Sequence, residues 1–344
     1  MQELLAPATP TSAALNKERA GRNRTINLTE EDKQLYAPRL LDIASLSPAK
    51  KPPIGTINAD FQKVVTQLPR KCVDLLVLDP PYNLTKDFHG NKFARKDTDA
   101  YTDWLDDVIK QLKPVLSETA SIYICGDWLT SVSIYTVASK HFVVRNRITW
   151  EREKGRGAKT NWKNSSEDIW FCTVSDDYKF NVEAVKLRRK VIAPYRKDDG
   201  TPKDWLESEQ GNFRDTHPSN IWTDITIPFW SMPENTDHPT QKSEKLIAKL
   251  VLASSDPGDL VLDPFLGSGT ISVVAKKLQR KYLGIDINES YCLLAEKRLA
   301  MADVSKDIQG LSDGVFWERN TLAVQTAGAR TQRNDPRQPS LFDI

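Results

Sequence analysis

The stretch Leu260-Val261-Leu262-Asp263-Pro264-Phe265-Leu266-Gly267-Ser268-Gly269-Thr270, followed by a helical run to Gln279 and then by Tyr282-Leu283-Gly284-Ile285-Asp286, decides the fold. Its apolar runs predict two strands, Leu260 to Leu262 and Tyr282 to Ile285, with a helix from Thr270 between them. Residues 263 to 270 are then a βα turn, the place where open parallel sheets bind ligands. Gly267 and Gly269 remove side chains from the turn, and the helix start offers unpaired N–H donors. A phosphate-cradling P-loop needs a Lys before the Ser or Thr, and Ser268-Gly269-Thr270 lacks one, which disfavours triphosphate hydrolysis. Asp263 instead places a carboxylate where a cation could sit. Asp286, 23 residues on, has the spacing from which an acid holds ribose hydroxyls. The ligand implied is an adenosyl compound carrying a positive group.

Outward from this unit the same rhythm repeats. Strands are expected at Gly55 to Asn58, Val73 to Leu78, Ser121 to Cys125 and Phe142 to Trp150. Helices are expected at Phe61 to Leu68, Tyr101 to Leu116, Leu129 to Ser139, Ser243 to Ala253 and Asn288 to Ala302. Alternation of this kind predicts a doubly wound α/β sheet. Thr29 before Glu30, Glu31 and Asp32 is a helix-capping signal, with spaced Leu and Ile to Leu46. Residues 1–50 are therefore assigned to an N-terminal arm and helix, and 51–173 and 236–305 to the two halves of the sheet. The irregular 174–235 is read as an insertion and 306–344 as an extended polar tail.

A second turn, Asp79-Pro80-Pro81-Tyr82, follows the strand Val73 to Leu78. Two prolines fix φ and bar a helix start, so the chain leaves the sheet as a stiff extended turn with carbonyls pointing outward. The Asp79 carboxylate and the Pro80 carbonyl are two acceptors for the two hydrogens of an exocyclic amine, and Tyr82 offers a flat face for a base. Both turns belong to the carboxyl end of one parallel sheet.

The chain has 344 residues, 39% of them hydrophobic and 27% charged, with 48 Lys and Arg against 46 Asp and Glu. These values describe a globular chain able to bury its own core, and no apolar run approaches a membrane span. Met1 to Leu15 lack the pattern of a secretory signal, so a cytoplasmic protein is expected. Cys72, Cys125, Cys172 and Cys292 have no metal or redox spacing and are read as reduced thiols. His89, His141, His217 and His238 are too scattered for a metal cluster, so no metal is expected. The small net charge of +2 hides local excess: Arg145 to Lys163 and Lys186 to Lys203 each hold seven basic and two acidic residues. The first stretch interleaves Trp150 and Trp162 with Arg152, Lys154, Arg156 and Lys159, a mixture suited to phosphate contact and base stacking. The second contributes Arg188, Arg189, Lys190 and Arg196 as candidate contacts to phosphates or guanines.

Taken together, Asp79 to Tyr82, then His238-Pro239-Thr240-Gln241-Lys242, then Asp263 to Thr270 resemble the permuted (beta-type) group of S-adenosylmethionine-dependent DNA amino-methyltransferases, in which the catalytic motif precedes the cofactor motif. The resemblance spans roughly residues 55–300 and implies a Rossmann-like sheet with residues 174–235 as target-recognition region. It implies that Phe265, Gly267, Ser268, Gly269 and Thr270 line S-adenosylmethionine, that Asp263 faces its amino group and that Asp286 takes its ribose hydroxyls. Asp60, in Ile57-Asn58-Ala59-Asp60, matches a Gly-Asp element near the adenine, with Ala59 in place of the glycine. Thr240, Gln241 and Lys242 would approach the cofactor carboxylate, although Ser243 stands where the family usually has proline.

Members with Asp at the first position of the catalytic motif mostly methylate adenine N6 and those with Ser mostly cytosine N4, so Asp79 favours adenine, with cytosine N4 the alternative. An RNA methyltransferase or a catalytically silent DNA-binding module fits the intact motifs less well. The implied partner is double-stranded DNA with the target base flipped out, and relatives of this type are often homodimers. Finally, Gln338-Pro339-Ser340-Leu341-Phe342 resembles the short peptide by which bacterial proteins dock on the sliding clamp, with Pro339 replacing the usual Leu.

Overall fold

A computed structural model of the chain describes residues 21–83, 86–88, 91–93, 95–152, 160–191, 195–208, 211–319 and 321. Strands β1 (Gly55–Asn58), β2 (Val73–Leu78), β5 (Leu116–Gly126), β6 (Val143–Glu151), β7 (Ser166–Thr173), β11 (Ile221–Trp222), β12 (Leu260–Asp263) and β13 (Lys281–Asp286) form one sheet in the order β1-β13-β12-β2-β5-β7-β6-β11. Neighbours run parallel except where β7 lies between β5 and β6, antiparallel to both. A short hairpin, β3 (Lys86–Phe88) and β4 (Asn91–Phe93), stands apart from it.

Strand β2 shows why helices cover both faces. Its side chains alternate across the sheet: Leu76 and Leu78 enter a core shared with α2 (Phe61–Val65), α3 (Thr98–Leu112) and α4 (Ser131–His141). Leu75 and Val77 enter another shared with α5 (Glu244–Ser254) and α6 (Thr270–Lys277). A strand apolar on both sides is the mark of a sheet buried between two helical layers. The expected doubly wound, Rossmann-like α/β fold is the fold observed. Helix α7 (Glu289–Val304) packs against α6 and β1.

Several elements differ from the sequence reading. The helix after Thr29 is only α1 (Glu30–Tyr36), because Pro38 diverts the chain into a 3₁₀ turn at Ala37–Arg39; Thr29 and Asp32 do form the expected capping box. Helix α3 begins earlier than expected, capped by Asp97, and ends before Pro114, so that Leu116 already starts β5. Strand β7 was not anticipated. Residues 174–235 are not irregular throughout: β8 (Leu187–Lys190), β9 (Leu206–Ser208) and β10 (Gly211–Thr216) form a second sheet. Nor is the chain after Gly310 simply extended, for β14 (Leu311–Ser312) and β15 (Val315–Trp317) complete that second sheet in the order β14-β15-β8-β10-β9. Phe316 is fully buried in the core beneath α5, and Trp317 meets the Phe213 ring at 5.4 Å. The amide of Arg24 bonds Trp230 O, and Ile26 bridges Thr236, which pins the N-terminal segment beside the turn preceding α5.

Candidate active site

The carboxyl ends of four adjacent strands carry the site. In sheet order, β1 leads to Asp60, β13 ends at Asp286, β12 ends at Asp263 and β2 leads to Asp79. Parallel pairing of β12 with β2 brings the two turns singled out in the sequence to the same edge of the fold.

The Asp79 turn is held from below by α3, whose Tyr101 hydroxyl donates to the Pro81 carbonyl at 3.2 Å. Lys242 reaches Asp79 from the loop before α5. Its Nζ donates to Asp79 Oδ1 and Oδ2 at 2.9 and 2.8 Å and to the Tyr82 hydroxyl at 3.0 Å, while that hydroxyl donates to Asp79 Oδ1 at 3.1 Å. The lysine side chain is only 7% exposed. Burial opposes its charge, yet Asp79 and then Glu167 outweigh that cost and raise its pKa above the usual lysine range. Burial, reinforced by Asp79 and Glu167, likewise pushes the Tyr82 phenol well up, so it stays a neutral donor.

In the second turn, Gly267 and Gly269 adopt φ of +51° and +77°. A Cβ on Gly269 would lie 2.4 Å from that of Ala295, and one on Gly267 would press on His238 Nε2 at 3.0 Å, so both positions demand glycine. Arg298 braces this turn from α7: its guanidinium donates to Ser268 O at 2.8 Å, Thr270 Oγ1 at 2.9 Å and Glu244 Oε1 at 2.9 Å. Asp286 accepts from the amides of Gly267 and Asn288, both at 2.8 Å. Burial raises its pKa despite these bonds. Asp263 is buried, with Oδ1 accepting from the Phe265 amide at 3.3 Å and Oδ2 without a hydrogen-bond partner. Burial, then the nearby Asp79 charge, pushes its carboxyl well above the usual carboxylate range.

The other residues chosen from sequence have more varied surroundings. Phe265 packs between the rings of Phe61 and Trp104, at 5.2 and 6.4 Å. Asp60 caps α2 through the Gln62 amide. Gln241 is turned inward, accepting from the Thr236 amide and hydroxyl and donating to Glu234 O, and the Thr240 amide bonds His238 Nδ1. Of the basic candidates, Arg188 makes a two-pronged pair with Asp215 at 2.7 Å, Arg189 lies 3.7 Å from Glu318, and the Lys190 amide bonds Glu318 Oε2. Arg196 bonds Gly200 O and Glu207, and Arg152 binds Glu167 at 2.7 Å, beside Lys242. Lys154, Arg156 and Lys159 lie outside the described residues, as does the 338–342 peptide.

Sequence reasoning missed Glu167, Glu244 and Arg298. None falls in a recognisable motif, and only α7 and α5, crossing behind the turn, bring Arg298 and Glu244 to it.

Among the described residues no cluster of metal-ligating side chains occurs, and no helix is long and apolar enough to cross a membrane. A family model described as DNA methylase matches residues 73–297. DNA adenine methyltransferase YhdJ of Escherichia coli (strain K12) is 35% identical over 254 residues, covering 72% of this chain and 82% of that protein. Type II methyltransferase M.HpaI of Haemophilus parainfluenzae is 32% identical over 243 residues, covering 69% and 71%. Among solved structures, the PvuII DNA methyltransferase (cytosine-N4-specific) covers 75% of this chain and 94% of its own at a TM-score of 0.51 and 15% identity, a likeness of fold. With the family matched over more than half its length and a relative of 35% identity over most of both chains, the chain belongs to the N6/N4 DNA methylase family.

Proposed function

We propose that this DNA methyltransferase uses S-adenosylmethionine to methylate N6 of an adenine flipped out of double-stranded DNA. The observation that carries the reading is the adjacency of an Asp-Pro-Pro-Tyr turn and a glycine turn whose buried Asp263 oxygen lacks a partner. That oxygen fits the cationic amino group of the cofactor, since a buried anion is tolerated when a positive charge meets it. On this reading Asp263 takes the amino group, the turn from Phe265 to Thr270 lines the cofactor, and Asp286 takes the ribose hydroxyls. Asp60 stands near the adenine. Lys242 is assigned to Asp79 rather than to the cofactor carboxylate, because its ammonium already spans both Asp79 oxygens. When bound, the cofactor supplies an electrophilic methyl group.

The chain's own residues do the rest by positioning. Asp79 and the Pro80 carbonyl accept the two N6 hydrogens and so orient the nitrogen, and Tyr82 packs on the base. Adenine is preferred to cytosine because of the aspartate at the head of the motif and because YhdJ is named an adenine methyltransferase. The order of the motifs supports membership of the permuted group. Residues 174–235, with β14 and β15 joined to their sheet, are assigned to target recognition. A homodimer and clamp docking through residues 338–342 remain readings of the sequence.

Modification-sensitive sequencing of DNA from cells expressing the chain tests this. N6-methyladenine at one recurrent motif is expected, and Asp79→Ala should abolish it while changing cofactor affinity less than about threefold, under ~0.7 kcal/mol. N4-methylcytosine, or activity retained by Asp79→Ala, would overturn the assignment.

A further inference from the structure

Behind the Asp79–Lys242 pair lies a buried carboxylate that positioning of the base does not use. Glu167, on β7, has a side chain only 4% exposed. Its Oε1 accepts from Arg152 Nη1 at 2.7 Å, and Arg152 is itself laid over the Trp150 ring at 5.5 Å, so the carboxylate is fixed in orientation. Its Oε2 is buried without a hydrogen-bond partner and stands 3.7 Å from Lys242 Nζ. An interior carboxylate oxygen left unbonded costs free energy.

The reason it is unbonded is a matter of counting. An ammonium has three N–H donors, and those of Lys242 have three closer acceptors: Asp79 Oδ1, Asp79 Oδ2 and the Tyr82 hydroxyl. In this arrangement both oxygens of Asp79 already face one full positive charge. A neutral amine competes poorly with an ammonium for the same carboxylate, since the ammonium adds the attraction of a full opposite charge to its hydrogen bonds. If Asp79 is to take an N6 hydrogen, the ammonium must yield at least one oxygen, and it must do so without being left as a buried charge lacking a counterion.

We propose that Glu167 is the second seat of the Lys242 ammonium: Nζ moves onto Glu167 Oε2 as the target amine docks, releasing an oxygen of Asp79. This rests on the reading of Asp79 as the amine acceptor. Closing 3.7 Å to a bonded distance of about 2.8 Å takes a movement of roughly 1 Å, within reach of a lysine stem with four rotatable bonds. Positive charge is conserved within the cluster throughout, because Arg152 holds the other oxygen of Glu167. Glu167 is a positioning residue; it touches neither base nor cofactor.

The test is steady-state methylation of unmethylated bacterial genomic DNA by the full-length chain, with radiolabelled S-adenosylmethionine and with cofactor affinity measured separately by calorimetry. Glu167→Gln keeps shape and removes the charge that receives the ammonium. It should lower kcat about tenfold or more, with KM for DNA within about threefold and cofactor affinity unchanged. Glu167→Asp, which keeps the charge on a shorter stem, should recover part of the rate. In a Lys242→Gln background no ammonium has to move, so adding Glu167→Gln should cost less than about twofold further. Glu167→Gln and Glu167→Asp both at wild-type kcat would overturn the proposal, as would a double variant whose losses multiply or a loss of kcat matched by lost cofactor binding. Absence of N6-methyladenine with the wild-type chain would instead sink the underlying reading of Asp79.

Discussion

Replacing Asp263 by Asn separates stability from cofactor affinity. The carboxyl is 1% exposed, bonds one amide through Oδ1 and leaves Oδ2 unbonded. Burial, then Asp79 and Asp286, raises its folded pKa above the unfolded value, with the Phe265 amide and Lys242 opposing only in part. The native state therefore holds a proton that the unfolded chain has released, and stability falls as pH rises from the ordinary carboxylate range towards the raised value. Asn has nearly the same shape, keeps an oxygen for the Phe265 amide and exchanges one unbonded polar atom for another. The free protein should melt at the same temperature as wild type or higher, with the gap widening as pH rises. Cofactor binding should move the other way. Removing one member of a buried charge pair costs about 2–5 kcal/mol, or roughly 30- to 5,000-fold in Kd. Scanning fluorimetry over a pH series that starts in the ordinary carboxylate range and runs upward, and calorimetry with S-adenosylmethionine, read the two effects independently. A variant that melts below wild type at every pH and binds cofactor as tightly would refute the assignment of Asp263 as a buried carboxyl that gives up its proton when a cation meets it.

Two more outcomes are expected of the same interior. Arg298→Met removes the guanidinium that ties Ser268 and Thr270 to Glu244, leaving Glu244 with Lys277 at 2.7 Å. Breaking a buried pair of this type costs about 3–5 kcal/mol, so the melting temperature should fall by roughly 4–7 °C, and KM for the cofactor should rise as the turn loosens; unchanged KM would show that the brace does not serve the turn. Glu234, buried and next to Glu244, has its carboxyl pushed up to about 8, by burial first and by Glu244 second. Its raised folded pKa means stability declines as pH climbs from the ordinary carboxylate range through about 8, and Glu234→Gln should flatten that decline in melting temperature against pH; an identical slope in the variant would refute it.

Much of the scaffold was legible because its signals are local. Strand β2 and the two prolines after it are contiguous, and the alternation of strand and helix around Asp263 is visible within 30 residues. Strand β7 escaped because it returns antiparallel to β6, with no helix among the described residues between them, which breaks the alternation of strand and helix. Residues Leu311–Trp317 escaped because four apolar residues in a polar segment carry too little pattern to mark two strands. Lys242 was recognised in its motif, yet its partner Asp79 lies 163 residues away, and only the crossing of the sheet brings them together. Several arginines chosen for phosphate were instead found paired: the charge run in sequence records basic residues, not the acids such as Asp215 and Glu167 that fold against them.

The second sheet is assembled from two distant pieces of chain, with β15 running parallel to β8 and Phe316 filling the core beneath α5. A fragment ending after α7 would expose Leu187 and Phe213 where β15 and Trp317 had covered them. If residues 174–235 read the target as proposed, exchange of specificity between relatives would have to transplant them together with Leu311–Trp317 as one paired cassette, since either segment alone arrives without its complementary surface.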